Sequence, residues 1–468
     1  MRLDLAVRGG TIVTHERAGR ADLGVRDGRI VVLGELGDHD ADDEIDASGL
    51  VVVPGLVDVH VHLREPGMTE KEDFSSGTRA AAAGGVTTVF DMPNTFPPVA
   101  TAVDFEAKLA LVAPKAHVDF GLYGMIGQDN AAEIAHLADL GAVGLKLFMG
   151  QTTGDNACPD DGAIYAGMCA ARDAGLVVGA HAENDKVLRY LAGELRNSGR
   201  RDPIAHLESR PSFVEEEAVG RFLTLARAAG TVVHIHHLST AVGLERLTDA
   251  RHHGQHATCE VLVAHLLLDE RAYASHGNLI KLNPPIRPAS DVEALWRGVA
   301  RRQVDVLATD HAPHTLDEQG REDVWAAPGG FIGVETMLPL MLSEVARGRL
   351  SLQRLVELAS WRPASIWGIA ARKGHLGIGA DADFNLIELE TAGAIDARRL
   401  HSRHPVTPYD GWQTTGAVRA TYLRGGLVAK DGQAIGEPTG RQLRPSRPDA
   451  GADSGSVRAH ERAARGWA

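Results

Sequence analysis

Residues 58–67 read DVHVHLREPG and close the apolar run GLVVVPGLV of residues 49–57. The run is rich in β-branched residues and reads as a buried strand, in which side chains i and i+2 share one side. His60, His62 and Arg64 therefore line one face together. Two imidazoles two residues apart at a strand end are a candidate metal pair. With 22 histidines in the chain such a pair also arises by chance, so the motif alone decides nothing.

Downstream the texture alternates between strand and helix. The apolar runs VTTVFDMP, HVDFGLYGMI, VGLKLFMG, LVVGAHAE, TVVHIHHLS, HATCEVLVAH and VDVLATDHAP are separated by Ala-, Leu- and Glu-rich segments such as TRAAAAGG, AAEIAHLADLG and FVEEEAVGRFLTLARAAG. The last helix before Asp310 opens with SDVE, a capping-box pattern at Ser290 and Glu293. With the first strand, this makes eight strands in βα alternation, which predicts an α/β fold: a closed (β/α)8 TIM-like barrel over residues 54–375. Residues 1–53 instead alternate short apolar runs with Gly- and Asp-containing turns, as in RDGR, a hairpin signature. The same texture returns in DFNLIEL and RATYLRGGLVAKDGQ, so residues 1–53 and 376–436 are expected to pair into one discontinuous β-sandwich. Residues 437–468 are rich in Pro, Gly, Ser, Arg and Asp and read as a disordered or loosely attached tail.

Bulk properties narrow the class. The chain has 468 residues, 44% hydrophobic content and a net charge of -14, which supports a large core and argues against nucleic-acid or acidic-membrane partners. A small molecule is the expected partner. Three cysteines, Cys158, Cys169 and Cys259, form no close pair and suit a reducing compartment. The N-terminus lacks a signal-peptide core and no apolar run reaches the roughly 20 residues that span a bilayer, so a cytoplasmic protein is expected.

In a parallel barrel, functional groups gather at the C-terminal ends of the strands. His60 and His62 close the first strand, Lys146 sits in GLKLFMG, and His181, His237 and Asp310 stand at or beside the ends of later strands. Four imidazoles and a carboxylate converging on one mouth predict a divalent site, with zinc favoured by nitrogen-rich ligation. One ion would leave ligands to spare, so two are inferred. Asp310 can serve a metal and also take a proton from the attacking water, whose pKa a metal brings near neutrality. Lys146 has two readings. A strand lysine can snorkel or pair with an acid, or burial can lower its pKa so that the neutral amine captures carbon dioxide as a carbamate.

The ordered set DVHVHLREPG, GLKLFMG, AHAEN, HHLS and ATDHAPHT resembles the amidohydrolase superfamily of metal-dependent barrels and, within it, the cyclic amide hydrolases, dihydroorotases above all. The resemblance runs from the N-terminus to about Gly436. It implies the barrel with split β-sandwich and a centre of two divalent ions, zinc by preference, bridged by carbon dioxide held as carbamate on Lys146. The implied ligands are His60, His62, Lys146, His181, His237 and Asp310, with Asp310 catalytic. The family pattern puts the ligand directly before LS, hence His237, and leaves His236 packed behind it. A dimer or tetramer is implied as well.

Substrate choice is read from the ligands' neighbours. In dihydroorotases the arginine after H-x-H and the asparagine of MPNT grip the substrate carboxylate, here Arg64 and Asn94, and DHAPH adds His314. KLNPPIR resembles the ring-contacting segment and makes Asn283 a substrate-binding candidate. Each also has a structural reading: Arg64 paired with Glu65 or Glu72, Asn94 shaping the turn after Pro93, His314 a loop residue. The implied reaction is reversible hydrolysis of dihydroorotate to N-carbamoyl-aspartate in pyrimidine synthesis. The alternative is an allantoinase- or hydantoinase-like ureide hydrolase. It is motivated by CEVLVAHLLL, where Val263 and Ala264 replace the usual Pro-His pair and His265 remains. A non-catalytic relative would be expected to lose ligands, and all six are kept. PDDG offers a second aspartate, Asp161, read as a loop residue near the site, and the glycines of APGGFIGVE read as a turn.

Overall fold

A computed structural model describes residues 2–152 and 158–446. Eight parallel strands form the centre: β1 (Leu56–Val61), β2 (Val86–Asp91), β3 (Asp119–Leu122, resuming at Gly124–Met125), β4 (Leu145–Phe148), β5 (Val178–His181), β6 (Val233–Ile235), β7 (Ala257–Leu262) and β8 (Val306–Ala308). Each pairs with its sequence neighbour, and a parallel bridge between Val61 and His311 closes β8 onto β1. This is the expected (β/α)8 barrel.

Both faces of a barrel strand are covered, which is why β1, LVDVHV, is buried at every position. Its alternation sends Asp58 and His60 inward and the valines out toward the helices. The helix Phe74–Ala83 starts from a capping box between Asp73 and Ser76, and Ser212–Ala229 ends at Gly230 in the left-handed conformation. The capping box expected at Ser290 is absent. The helix spans Ala289–Ala300 with Pro288 at its N-cap, so Ser290 already lies inside the first turn, and Asp291 accepts from Ala241 N of a neighbouring helix.

The barrel floor is aromatic. Trp367 is buried against His234 and Phe90, with ring centroids 4.8 and 5.9 Å apart, and Tyr123 packs edge-on to His236 at 5.8 Å. Room for His236 comes from Gly179 on β5, where a Cβ would fall 2.0 Å from the imidazole Nε2.

Strands from both chain ends share one sheet: Val51–Pro54 pairs antiparallel with Phe384–Ala394 and parallel with Thr11–Val13. A four-stranded sheet containing Leu3–Arg8 packs on it through Leu5, Val7, Leu23, Val25, Ile30, Val52 and Phe384. The RDGR turn places Asp27 and Gly28 at positive φ between Arg26 and Arg29, as a two-residue hairpin requires.

The tail departs from expectation over its first part. Residues 437–446 lie along the barrel: Phe120 N donates to Arg441 O at 3.0 Å and Leu443 N to Phe120 O at 2.7 Å. The interruption of β3 leaves the edge of Phe120 unpaired by β4, and this segment takes its place. The rest of the expected tail lies outside the described residues.

Candidate metal centre

The mouth of the barrel is lined by His60, His62, Lys146, His181, His237 and Asp310, together with Arg64, Asn94, Phe148, Thr152, Leu282, Asn283, Ala312 and Gly329. Apart from Lys146, the second residue of β4, each of the first six stands near or just past the end of its strand. His60 is on β1 with His62 just beyond it, Lys146 is on β4 and His181 on β5; His237 and Asp310 each follow two residues after β6 and β8. Arg64, His237 and Asp310 all take positive φ, of 63°, 38° and 49°. Side chains rarely sit there, and such conformations concentrate at functional sites. The turn after each strand bends these groups toward the axis.

Asp310 Oδ1 lies 3.0 Å from His62 Nε2 and 3.3 Å from His60 Nε2; Lys146 Nζ is 3.5 Å from His60 Nε2, and His181 Nδ1 is 3.1 Å from His237 Nε2. Ligand atoms of His60, His237 and Asp310 fall within 4.8 Å of one another. Burial lowers the pKa of all four histidines, and nearby Lys146 adds to the effect, so the rings are neutral with a lone pair to offer. Burial also lowers the Lys146 ammonium to about 8. Neutral imidazoles and a carboxylate form a donor set that fits divalent metal, and the lowered Lys146 ammonium gives up its proton more readily than an exposed one.

The side chains expected to grip a substrate carboxylate are partly tied to the protein. Arg64, buried, donates from Nε to Pro313 O at 3.1 Å, and its NH2 lies 3.2 Å from His314 Nε2. Burial pulls Arg64 down to about 10 and His314 to about 4. His314 stands behind Arg64, with Lys71 and Glu318 beyond it. Asn94 Oδ1 accepts from His62 Nδ1 at 2.9 Å. Asn283 lines the mouth, and its Oδ1 has no hydrogen-bond partner among the described residues.

The family model described as "Amidohydrolase family" matches residues 51–428. The chain belongs to the amidohydrolase family. This amidohydrolase is 41% identical to an allantoinase of Rubrobacter xylanophilus over 95% of its own length and 98% of the relative's. It is 37% identical to a dihydroorotase of Methanothermobacter thermautotrophicus, over 90% and 94%. An L-hydantoinase structure from Arthrobacter aurescens superposes with a TM-score of 0.92 at 34% identity, covering 94% of this chain and all of that one.

Several groups beneath the amidohydrolase mouth escape a motif reading. Glu260 on β7 is fully buried and bonds His60 Nδ1, His234 Nε2, His236 Nδ1 and the His237 amide. Burial works to raise its carboxyl, but His60 and His234 outweigh it and hold it at about 2. Asp58 accepts from the amides of His60 and Thr309, and burial raises it to about 7. Glu183 Oε2 lies 2.9 Å from His181 Nε2 and is clasped by Arg210. The only signal for these in sequence is a carboxylate inside or beside an apolar run.

Two expectations are corrected. Asp161 is no loop residue near the centre: it opens the helix Asp161–Asp173, is exposed and pairs with Arg221. Val263, Ala264 and His265 are not on the seventh strand, which stops at Leu262; they form the short helix Val263–Leu267, where His265 Nε2 bonds Pro284 O at 3.2 Å. The glycines of APGGFIGVE do more than turn, since Gly329 borders the mouth and a Cβ there would meet Asn283 Nδ2 at 2.8 Å.

Proposed function

We propose that this cyclic-amide hydrolase opens the ring of a ureide of the allantoin or hydantoin class at a centre of two divalent ions, zinc by preference. The observation that carries the reading is the convergence of His60, His237 and Asp310 ligand atoms within 4.8 Å at the barrel mouth. His60, His62, His181, His237 and Asp310, with Lys146 as a carbamate, would hold the ions. Bound there, divalent metal supplies Lewis-acid polarisation of the ring carbonyl and acidifies water toward neutrality.

The chain's own groups do the rest. Asp310 accepts a proton from the attacking water as its oxygen bonds to the carbonyl carbon. The ring C–N bond breaks, and Asp310 returns the proton to the leaving nitrogen. Asn283 accepts from a ring N–H in this reading, which its buried oxygen without a partner among the described residues supports. Full-length similarity to relatives named allantoinase and hydantoinase supports the ureide. So do the bonds that tie Arg64 to Pro313 and Asn94 to His62, which use part of the expected carboxylate clamp as scaffold.

Dihydroorotate is the second reading, favoured by the Arg64 guanidinium, which borders the mouth and hydrogen-bonds a carbonyl and an imidazole rather than a carboxylate. The two are separated by kcat/KM for allantoin, hydantoin, dihydrouracil and dihydroorotate on zinc-loaded protein. The proposal expects allantoin or hydantoin to lead; turnover confined to dihydroorotate replaces it with the second reading.

A further inference from the structure

We infer that Glu260 is the positioning residue of the centre, a buried carboxylate that sets the tautomer of His60 and anchors the backbone of His237. The inference rests on reading the mouth as a metal site. Glu260 lies near the end of β7, fully buried. Its Oε1 accepts a short bond from His60 Nδ1 and another from the His237 amide at 3.1 Å; Oε2 accepts from His236 Nδ1 at 3.1 Å and His234 Nε2 at 3.2 Å. An ionised carboxylate only accepts and has about four lone-pair sites, so these contacts fill it and each facing ring nitrogen must carry a proton.

For His60 the consequence is specific. A neutral ring protonated at Nδ1 carries its lone pair on Nε2, the atom 3.3 Å from Asp310 Oδ1 and 3.5 Å from Lys146 Nζ. The remaining rings close the network consistently: His234 Nδ1 accepts from the Thr258 hydroxyl at 2.8 Å, and His236 Nε2 faces Gly179, where no donor reaches it. Through one side chain, the histidine of β1 and the histidine after β6 are held in register. Ligand atoms of His60, His236 and Glu260 also lie close enough to bind a metal themselves. Binding through the two Nδ1 atoms would strip the protons that the carboxylate accepts, so Glu260 acts on the metal through His60 and not as a ligand.

Outer-shell partners of this kind change metal affinity by about 10- to 100-fold. Glu260→Gln is therefore expected to weaken zinc binding, measured against a competing chelator, by that factor and to shrink the zinc-induced rise in Tm. A purely structural role would lower Tm with and without zinc alike and leave the affinity unchanged, and that result overturns the inference. If the variant does not fold, a crystal structure of the zinc-loaded wild-type protein decides. Zinc on His60 Nε2 with Glu260 on Nδ1 supports the assignment; zinc on Nδ1 or on Glu260 overturns it. Wild-type protein that binds no zinc would defeat the metal reading itself, whereas wild-type affinity in the variant defeats only the role of Glu260.

Discussion

Asn94 Oδ1 stands 2.9 Å from Nδ1 of His62, and the opposite nitrogen of that ring, Nε2, stands 3.0 Å from Asp310. The asparagine thus orients an imidazole that faces the centre. Asn94→Asp keeps an acceptor for the Nδ1 proton and is expected to retain zinc. Asn94→Ala removes it and is expected to lose about 10- to 100-fold in zinc affinity. Equal affinities in the two variants, measured by chelator competition, would show that the contact does not orient the ligand.

Arg64 separates the candidate substrates. Arg64→Gln is expected to leave the KM for hydantoin unchanged and to raise the KM for dihydroorotate by roughly 10- to 100-fold, the worth of a charged hydrogen bond. Steady-state KM values for both substrates with wild type and variant test this. A matching rise for hydantoin would mean that Arg64 supports the loop at Pro313 rather than recognising charge.

Much of the architecture was legible because its signals are local and repeated. A βα rhythm with metal-competent residues at strand ends describes the barrel, and the motifs name the six side chains that the mouth brings together. What was missed depends on distance in sequence. Glu260 reaches His60 across 200 positions, and no spacing rule marks it. The SDVE pattern met a proline N-cap two residues before the serine, and the strand reading of CEVLVAH ran into a helix because an apolar run lacks a distinguishing period. Residues 437–446 looked like a tail by composition, yet the free edge at Phe120 holds them through backbone bonds that composition does not report.

Stability is expected to fall as the solution is acidified. Burial lowers His265 and His314 to about 4, against an ordinary value of roughly 6.5. Between those values the unfolded chain binds more protons than the native one, so stability rises with pH from about 4 to 6.5 and levels off above. Each group contributes at most roughly 3 kcal/mol across the window. Urea midpoints at pH 4.5 to 7 test the trend. His265→Gln should flatten the slope, and an unchanged slope would exclude His265 as a cause.

Lys373 ties barrel to sandwich. Its buried Nζ contacts Asp119 on β3, Asp381 at 3.0 Å and Asp383 at 2.6 Å. Lys373→Met leaves three buried carboxylates without their shared cation and is expected to destabilise the fold by about 3–5 kcal/mol. A Tm within error of wild type would contradict this.

The most direct test of the whole account follows ring opening of allantoin and hydantoin by one sample in two states: loaded with zinc in bicarbonate, and stripped by chelator, with metal content measured alongside. Turnover by the loaded state at close to two zinc ions per chain, lost on stripping and restored by zinc, is the predicted result. A protein that carries two ions and opens no cyclic amide, or one that opens the ring equally well without metal, would contradict it.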